Sequence, residues 1–195
     1  MRVNLKWAAA ALLAASGFAQ AGTIQCPPNA TGGRIFYLTA TVNPICLAWG
    51  DGNLQGQVGQ ESGDAFTSGV GSAYTILDKD DGDAISANVE GWFSVNALNV
   101  SSGTVSINAS LWANYSALAV GFKVGNNNSP DWAVFGLAAN TLTADWSNTP
   151  QQGAGLSHAN LYGIKRAVPP NEVPEPASLA LIGMGLAGLA LRSKK

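Results

Sequence analysis

The sequence has little charge and few of the residues that metal and nucleophilic chemistry need. Charged residues make up 11% of its 195 residues, and it has two cysteines and one histidine. A structural or catalytic zinc site takes more ligands than these supply, so no metal centre is predicted. Cys26 and Cys46 are too far apart for a redox motif of the Cys-x-x-Cys type. No nucleophile elbow precedes His158, so no catalytic residue is predicted and a non-enzymatic chain is expected.

Basic residues are scarce away from the two ends of the chain. The formal net charge is −2, but five of the ten basic residues lie in the terminal segments. Residues 22–176 therefore carry five basic and twelve acidic residues, or a net charge of about −7. An acidic domain without a basic stripe is a poor partner for nucleic acid, and we exclude nucleic acid as a ligand.

The middle of the chain, residues 22–167, is rich in glycine and in neutral polar residues and shows β-type alternation. There are 23 glycines in the chain, and short alternating stretches are separated by turn residues. The fold class predicted is all-β, an antiparallel β-sandwich or its jelly-roll variant. The strands are expected at Arg34–Val42, Ala73–Leu77, Gly91–Leu98, Gly103–Leu111, Leu118–Val124, Trp132–Ala138, Leu142–Trp146 and Leu156–Ile164.

Residues 1–21 have the three parts of a secretory signal peptide, predicted as an N-terminal signal helix. Two basic residues precede an apolar stretch of about 12 residues, which is short for a membrane span. Ala19 and Ala21 are the small residues that signal peptidase accepts, and cleavage is expected before Gly22.

The C-terminal segment combines a proline-rich stretch, an apolar stretch and a basic end. Prolines in residues 168–176 hold the chain extended. Residues 177–195 are predicted to form a single transmembrane helix whose apolar part, at ~22 Å, is shorter than the ~30 Å hydrocarbon core. Positive residues remain cytoplasmic, so both chain ends are placed inside and the region between them outside the inner membrane.

Val173, Pro174, Glu175 and Pro176, followed by the apolar helix and the basic end, resemble the PEP-CTERM sorting signal of Gram-negative bacteria. The resemblance implies processing by an exosortase, a membrane-embedded cysteine transpeptidase-like enzyme, near Pro174–Pro176. It also implies a transient stay at the inner membrane, a final place at the cell surface or in the extracellular matrix, and association with exopolysaccharide or biofilm. Residues 102–163 also resemble a recurring domain of such sorted proteins, one without an established activity.

Three groups of residues in the middle region invite a functional interpretation. In an oxidising compartment Cys26 and Cys46 are expected to form a disulfide. Asp78, Asp80, Asp81 and Asp83 form either a solvated acidic turn, which we favour, or a calcium site, the one cofactor considered. The five tryptophans are expected to be mostly core residues, although aromatic rings on a sandwich face also stack on sugars.

The sequence therefore predicts an exported, exosortase-sorted surface or matrix protein of structural or binding type. Signal peptidase and exosortase are its expected processing enzymes, and exopolysaccharide is a candidate partner. Two alternatives stay open: a carbohydrate-binding module and an extracellular hydrolase. His158, the single histidine, is expected to pack or hydrogen-bond near the last strand.

Overall fold

The chain folds into ten strands and one short helix. The computed structural model describes residues 21–59, 63–81, 91–96, 98–125, 129–149 and 155–167. The elements are β1 (Gly22–Cys26), β2 (Ile35–Ala40), β3 (Ile45–Gly50), β4 (Thr75–Asp80), β5 (Phe93–Val95), β6 (Ser102–Ile107), α1 (Leu111–Asn114), β7 (Tyr115–Val124), β8 (Trp132–Leu137), β9 (Thr143–Thr149) and β10 (Leu156–Lys165).

The strands form two five-stranded antiparallel sheets. The first sheet has the order β1-β2-β9-β6-β5 and the second has the order β3-β8-β7-β10-β4. The edge strands are thus β1 and β5 in the first sheet and β3 and β4 in the second. The predicted all-β class and the sandwich-like pair of sheets are confirmed, whereas the finer jelly-roll variant stays a prediction.

The main core lies between the two sheets. Alternate residues of β7, among them Val120 and Phe122, enter this core from the second sheet. Phe122 stacks on Trp146 of β9 with the ring centroids 5.3 Å apart, and it meets Phe135 of β8 edge-on at 6.1 Å. These aromatic contacts tie the sheets together through their central strands.

The outer face of the second sheet is also buried, because residues 51–59 and 63–74, here named the covering segment, fold over it. Leu54 and Phe66 from this covering segment form a second apolar cluster with outward-facing residues of β4, β7, β8 and β10. Gly121 of β7 permits this close approach. A Cβ atom there would lie 2.9 Å from Tyr162 and 3.1 Å from Leu54. The alternation in β7 predicted one buried face, and the structure buries both.

A disulfide joins the two sheets along one edge. Cys26 ends β1 and Cys46 lies in β3, and the bond between them confirms the predicted pair. β1 and β3 are the adjacent edge strands of the two sheets. Closing a loop of this size stabilises the fold by about 3 kcal/mol in the chain-entropy model. The bond also restrains two strand edges that are open to pairing with other chains.

Each of the eight predicted strands overlaps an observed strand but differs from it at one end or both. The strand expected over Gly103–Leu111 ends at Ile107. Asn108 then starts a turn in which its Oδ1 accepts hydrogen bonds from the backbone N–H (3.0 Å) and the hydroxyl (2.8 Å) of Ser110, and Leu111 begins α1. The strands β1 and β3 were not predicted. The signal segment 1–20, the linker 168–176 and the sorting helix 177–195 lie outside the described residues.

Candidate functional site

The predicted acidic turn is in fact largely part of an edge strand. Asp78 and Asp80 belong to β4 and both are buried, so the expectation of a solvated turn is wrong for them. Asp80 Oδ2 accepts a hydrogen bond from the backbone N–H of Val95 in β5 at 2.9 Å. Asp81 forms an ion pair with Lys79 at 3.1 Å. Asp83 lies outside the described residues.

Asp78 points into the protein and not toward solvent. It is 1% exposed, and burial raises the pKa of its carboxyl group, with a further upward contribution from Asp80 and opposing hydrogen bonds from the backbone N–H groups of Lys79, Trp92 and Phe93. Its Oδ1 accepts the backbone N–H of Lys79 at 2.8 Å. Through Asp78 and Asp80, β4 of the second sheet is held against β5 of the first, on the edge opposite the disulfide.

This arrangement bears on the calcium hypothesis. Across the part of the chain that the structure describes, no group of three or more histidine, cysteine or carboxylate side chains is placed to hold a metal ion. Two of the four candidate aspartates already accept backbone hydrogen bonds, which competes with ion binding. Since Asp83 lies outside the described residues, calcium binding stays an open alternative.

A buried hydrogen-bond network lies under the covering segment, on the outer face of β10. Asp64 of this segment accepts the phenolic O–H of Tyr162 at Oδ2, at 2.6 Å. Asn160 donates to the carbonyl of Leu54 at 2.8 Å and to Asp64 Oδ2 at 3.3 Å. The other oxygen of Asp64, Oδ1, accepts the backbone N–H of Thr67 at 2.8 Å and its hydroxyl at 3.0 Å. Asp64 thus anchors the segment to β10.

His158 takes part at the rim of this network. It is 5% exposed, and its Nε2 lies 3.3 Å from the carbonyl oxygen of Leu54. Burial, together with the positive charges of Lys79 and Lys123, lowers the pKa of His158 to about 4 against weaker opposing effects. The contact of its Nδ1 with the Ser157 hydroxyl is 3.5 Å long, which is at the limit of a hydrogen bond. The carbonyl oxygen of Leu54 occupies the position from which a catalytic carboxylate would orient the imidazole ring of His158. The geometry therefore favours the predicted packing role.

Three of the five tryptophans are core or near-core residues, as expected. Trp146 is buried between the sheets, and Trp112 and Trp132 donate their Nε1–H groups to the carbonyls of Thr141 (3.0 Å) and Asp51 (3.1 Å). Trp49 on β3 is 47% exposed, and Trp92 is half-buried before β5 and lines a surface cleft. Of the five tryptophans, only Trp49 and Trp92 therefore expose ring surface on which a sugar can stack.

The predicted processing positions fall at or beyond the limits of the described residues. Ala21 is exposed and Gly22 is the first residue of β1, so the predicted cleavage point coincides with the start of the sandwich. Ala19 and the motif Val173, Pro174, Glu175 and Pro176 lie outside the described residues. Over the residues that are described, no helix is long and apolar enough to cross a membrane.

Sequence reasoning missed Asp64 and Tyr162, the two residues that organise the buried network. Asp64 follows a glycine in a region without periodicity, and nothing local marks it as a buried acid. Tyr162 lies in a predicted strand, but its hydrogen-bond partner is 98 residues away in the sequence. The burial of Asp78 and Asp80 was missed for the same reason, because a run of aspartates is typical of a turn.

The comparison with known protein families supplies the clearest functional information. Residues 172–195 match the model of the PEP-CTERM protein-sorting motif. No curated protein and no solved structure matches the chain. The fold and the motif together define an exported all-β protein whose C-terminus carries a sorting signal. More particularly, the chain is an exosortase-sorted protein, directed to the cell envelope of a Gram-negative bacterium.

Proposed function

We propose that this protein is a non-enzymatic component of the cell surface or extracellular matrix, structural or binding in nature, that associates with exopolysaccharide. The observation that carries the proposal is the sorting motif at residues 172–195. In the sequence this motif follows a disulfide-bonded sandwich. The motif accounts for export and sorting, and the disulfide is the kind of cross-link that persists in an oxidising compartment.

The proposed processing follows from the topology of the two ends. Signal peptidase removes residues 1–21 and leaves Gly22 as the first residue of β1. The basic end of the tail holds residues 177–195 in the inner membrane. The proline-rich residues 168–176 present an extended substrate outside that membrane, and exosortase cuts near Pro174–Pro176.

The architecture suits a protein that must persist outside the cell without chaperones. Sheet edges are sites of unwanted pairing between chains. Here one side of the sandwich is closed by the Cys26–Cys46 disulfide and the other is held by the Asp80 contact with β5. Both restraints connect an edge strand of one sheet to an edge strand of the other, which favours a scaffold or display role.

The two alternatives have unequal support. A carbohydrate-binding module is favoured by the surface cleft beside Trp92. An extracellular hydrolase has no comparable observation behind it, because the one histidine is buried with a pKa of about 4. It would require an activity that a single carboxylate substitution abolishes.

Cell fractionation tests the sorting part of the proposal. The chain is produced in its host with and without the exosortase gene, and Glu175→Gln is compared with Glu90→Gln, the same change outside the motif at residues 172–195. We expect loss of exosortase and Glu175→Gln each to retain the protein in the inner-membrane fraction, while Glu90→Gln is sorted normally. Identical distribution in all four cases would contradict exosortase sorting.

Co-purification tests the association with polysaccharide. Exopolysaccharide recovered from producing cells is expected to retain the protein through washing and to release it when the polymer is digested. Protein that washes off freely from the intact polymer would leave the sorting account standing but refute the association.

A further inference from the structure

A surface cleft of about 490 Å³ lies at the end of the sandwich where α1, the start of β7 and the end of β10 meet. Two aromatic residues, Trp92 and Tyr115, contribute apolar surface, and Ser110 and Asn114 contribute hydroxyl and amide groups. The volume is within the range of roughly 300–1,000 Å³ that is usual for ligand sites. Flat aromatic surface can pack on the apolar C–H face of a sugar ring, and neutral polar groups beside it can hydrogen-bond to the ring's hydroxyl groups.

The two exposed basic side chains of the domain that have no ion-pair partner among the described residues both line the cleft. Residues 22–167 contain five basic residues, all of them described, and Arg34 and Lys123 are buried. Lys79 is paired with Asp81. The two that remain, Lys165 and Arg166, are both exposed and both line the cleft.

Within the described ranges, no acidic side chain pairs with either of these two cations. None of the described residues that line it is acidic, and neither Lys165 nor Arg166 forms an ion pair with another described residue. Residues 22–167 contain ten acidic and five basic residues, a net charge of about −5, so two exposed cations side by side reverse the local sign of the charge. This reversal favours an anionic ligand.

Arg166 is held in position by the protein itself. Its Nη2 donates to the carbonyl of Trp112 at 3.0 Å and to that of Tyr115 at 3.3 Å. Its backbone N–H donates to the carbonyl of Asn114 at 2.9 Å. The two side-chain contacts use only Nη2 of a guanidinium group that has five N–H donors. The group is therefore ordered and still has donors to offer a carboxylate.

We infer that this cleft, here named the Trp92–Arg166 cleft, binds acidic polysaccharide through uronic acid residues. Trp92 or Tyr115 stacks on a sugar ring, Lys165 and Arg166 pair with its carboxylate, and Ser110 and Asn114 hydrogen-bond to its hydroxyls. The inference deepens the proposed function, because it names the chemical class of the exopolysaccharide and the surface that holds it.

The test is binding of the exported protein to polygalacturonate, a uronic acid polymer, with neutral dextran as the comparison. Titration calorimetry at low ionic strength is expected to show binding to polygalacturonate alone, weakened by added salt. Lys165→Gln should reduce affinity about tenfold, as loss of one charge-assisted contact does. Lys79→Gln, which removes a positive charge elsewhere, and Trp49→Ala, which removes the other exposed tryptophan, should leave it unchanged.

Three results would overturn the inference: no binding to polygalacturonate, equal binding to dextran, or the same loss of affinity for Lys79→Gln as for Lys165→Gln. Lys165 is exposed, so its substitution is expected to leave the melting temperature unchanged. Trp92→Leu tests the aromatic contact independently of the charge. It should weaken binding to polygalacturonate at least as much as Lys165→Gln does. Fractionation separates the two proposals, since failure of the cleft leaves exosortase-dependent sorting intact.

Discussion

His158 shows how a buried position changes the behaviour of one residue. Burial and nearby positive charges lower its pKa to about 4, from 6.5 in the unfolded chain. As the pH falls from about 6.5 to about 4, the unfolded chain takes up a proton on this ring and the folded chain does not. The free energy of unfolding therefore falls over this window because of His158, by up to about 3 kcal/mol.

The pH dependence of stability tests this account of His158. Urea unfolding of the parent chain and of His158→Gln is measured at several pH values between 7 and 4. We expect the parent to lose stability more steeply toward low pH, with the two curves converging in slope below pH 4. Parallel curves over the whole range would show that His158 is not buried as a neutral group.

Tyr162 is the residue through which β10 holds the covering segment. Its hydroxyl donates to Asp64 and accepts from Asn160 at 3.1 Å, and burial together with the charge of Asp64 raises the pKa of Tyr162 well above its ordinary value. Tyr162→Phe keeps the ring and removes the hydroxyl, leaving Asp64 short of a donor. We expect a loss of about 1–3 kcal/mol in the free energy of unfolding, measured by urea titration.

Tyr74→Phe is the matched control for this change. Tyr74 packs on Phe66 with ring centroids 5.4 Å apart, much as Tyr162 does at 5.0 Å. Among the described residues no hydrogen-bond partner is found for its hydroxyl, so its removal should cost little. Equal losses for the two variants would mean that the Asp64 network contributes nothing specific.

At the scale of the strands, the sequence predicted the interior of the sandwich better than its edges. The six interior strands and the edge strands β4 and β5 all overlap predicted strands, because residues facing the main core alternate with residues facing outward. β1 and β3 were missed: β1 has five residues and β3 is an apolar run without alternation. Apolar periodicity reports burial on one face, and edge strands and short strands carry little of it.

The contacts that join edge strands of the two different sheets are hard to predict for another reason. The disulfide was predictable from compartment and cysteine count, but the matching contact of Asp80 with Val95 joins residues of two different sheets. Nothing in the local sequence distinguishes an aspartate that caps a neighbouring strand from one in a solvated turn. The covering segment was missed likewise, because its partners lie on β7 and β10.

Calcium titration decides between the two roles of the acidic strand β4. Asp78 and Asp80 each accept a backbone hydrogen bond, so we expect the melting temperature to be unchanged at millimolar calcium. Magnesium at the same concentration is the control for ionic strength. A calcium-specific rise that Asp81→Asn abolishes would contradict the structural role and restore the calcium site.

At the scale of the whole molecule, the proposed export and sorting depend on the order of three parts along the chain. The predicted signal peptide precedes the sandwich, and the sorting motif at residues 172–195 follows it. The sandwich extends in sequence from Gly22, the first residue of β1, to Lys165, the last residue of β10. The tail was recognisable from sequence because proline, apolar and basic blocks are local features, whereas the Trp92–Arg166 cleft is assembled from distant residues.

The most direct test of the central claim is the intact mass of the protein recovered from outside the producing cells. Mass spectrometry is expected to show a chain that begins at Gly22 and ends near Pro174–Pro176, with the disulfide present and residues 177–195 gone. In cells that lack exosortase, the mass should include the tail. An external protein that retains residues 177–195 in exosortase-positive cells would contradict the account.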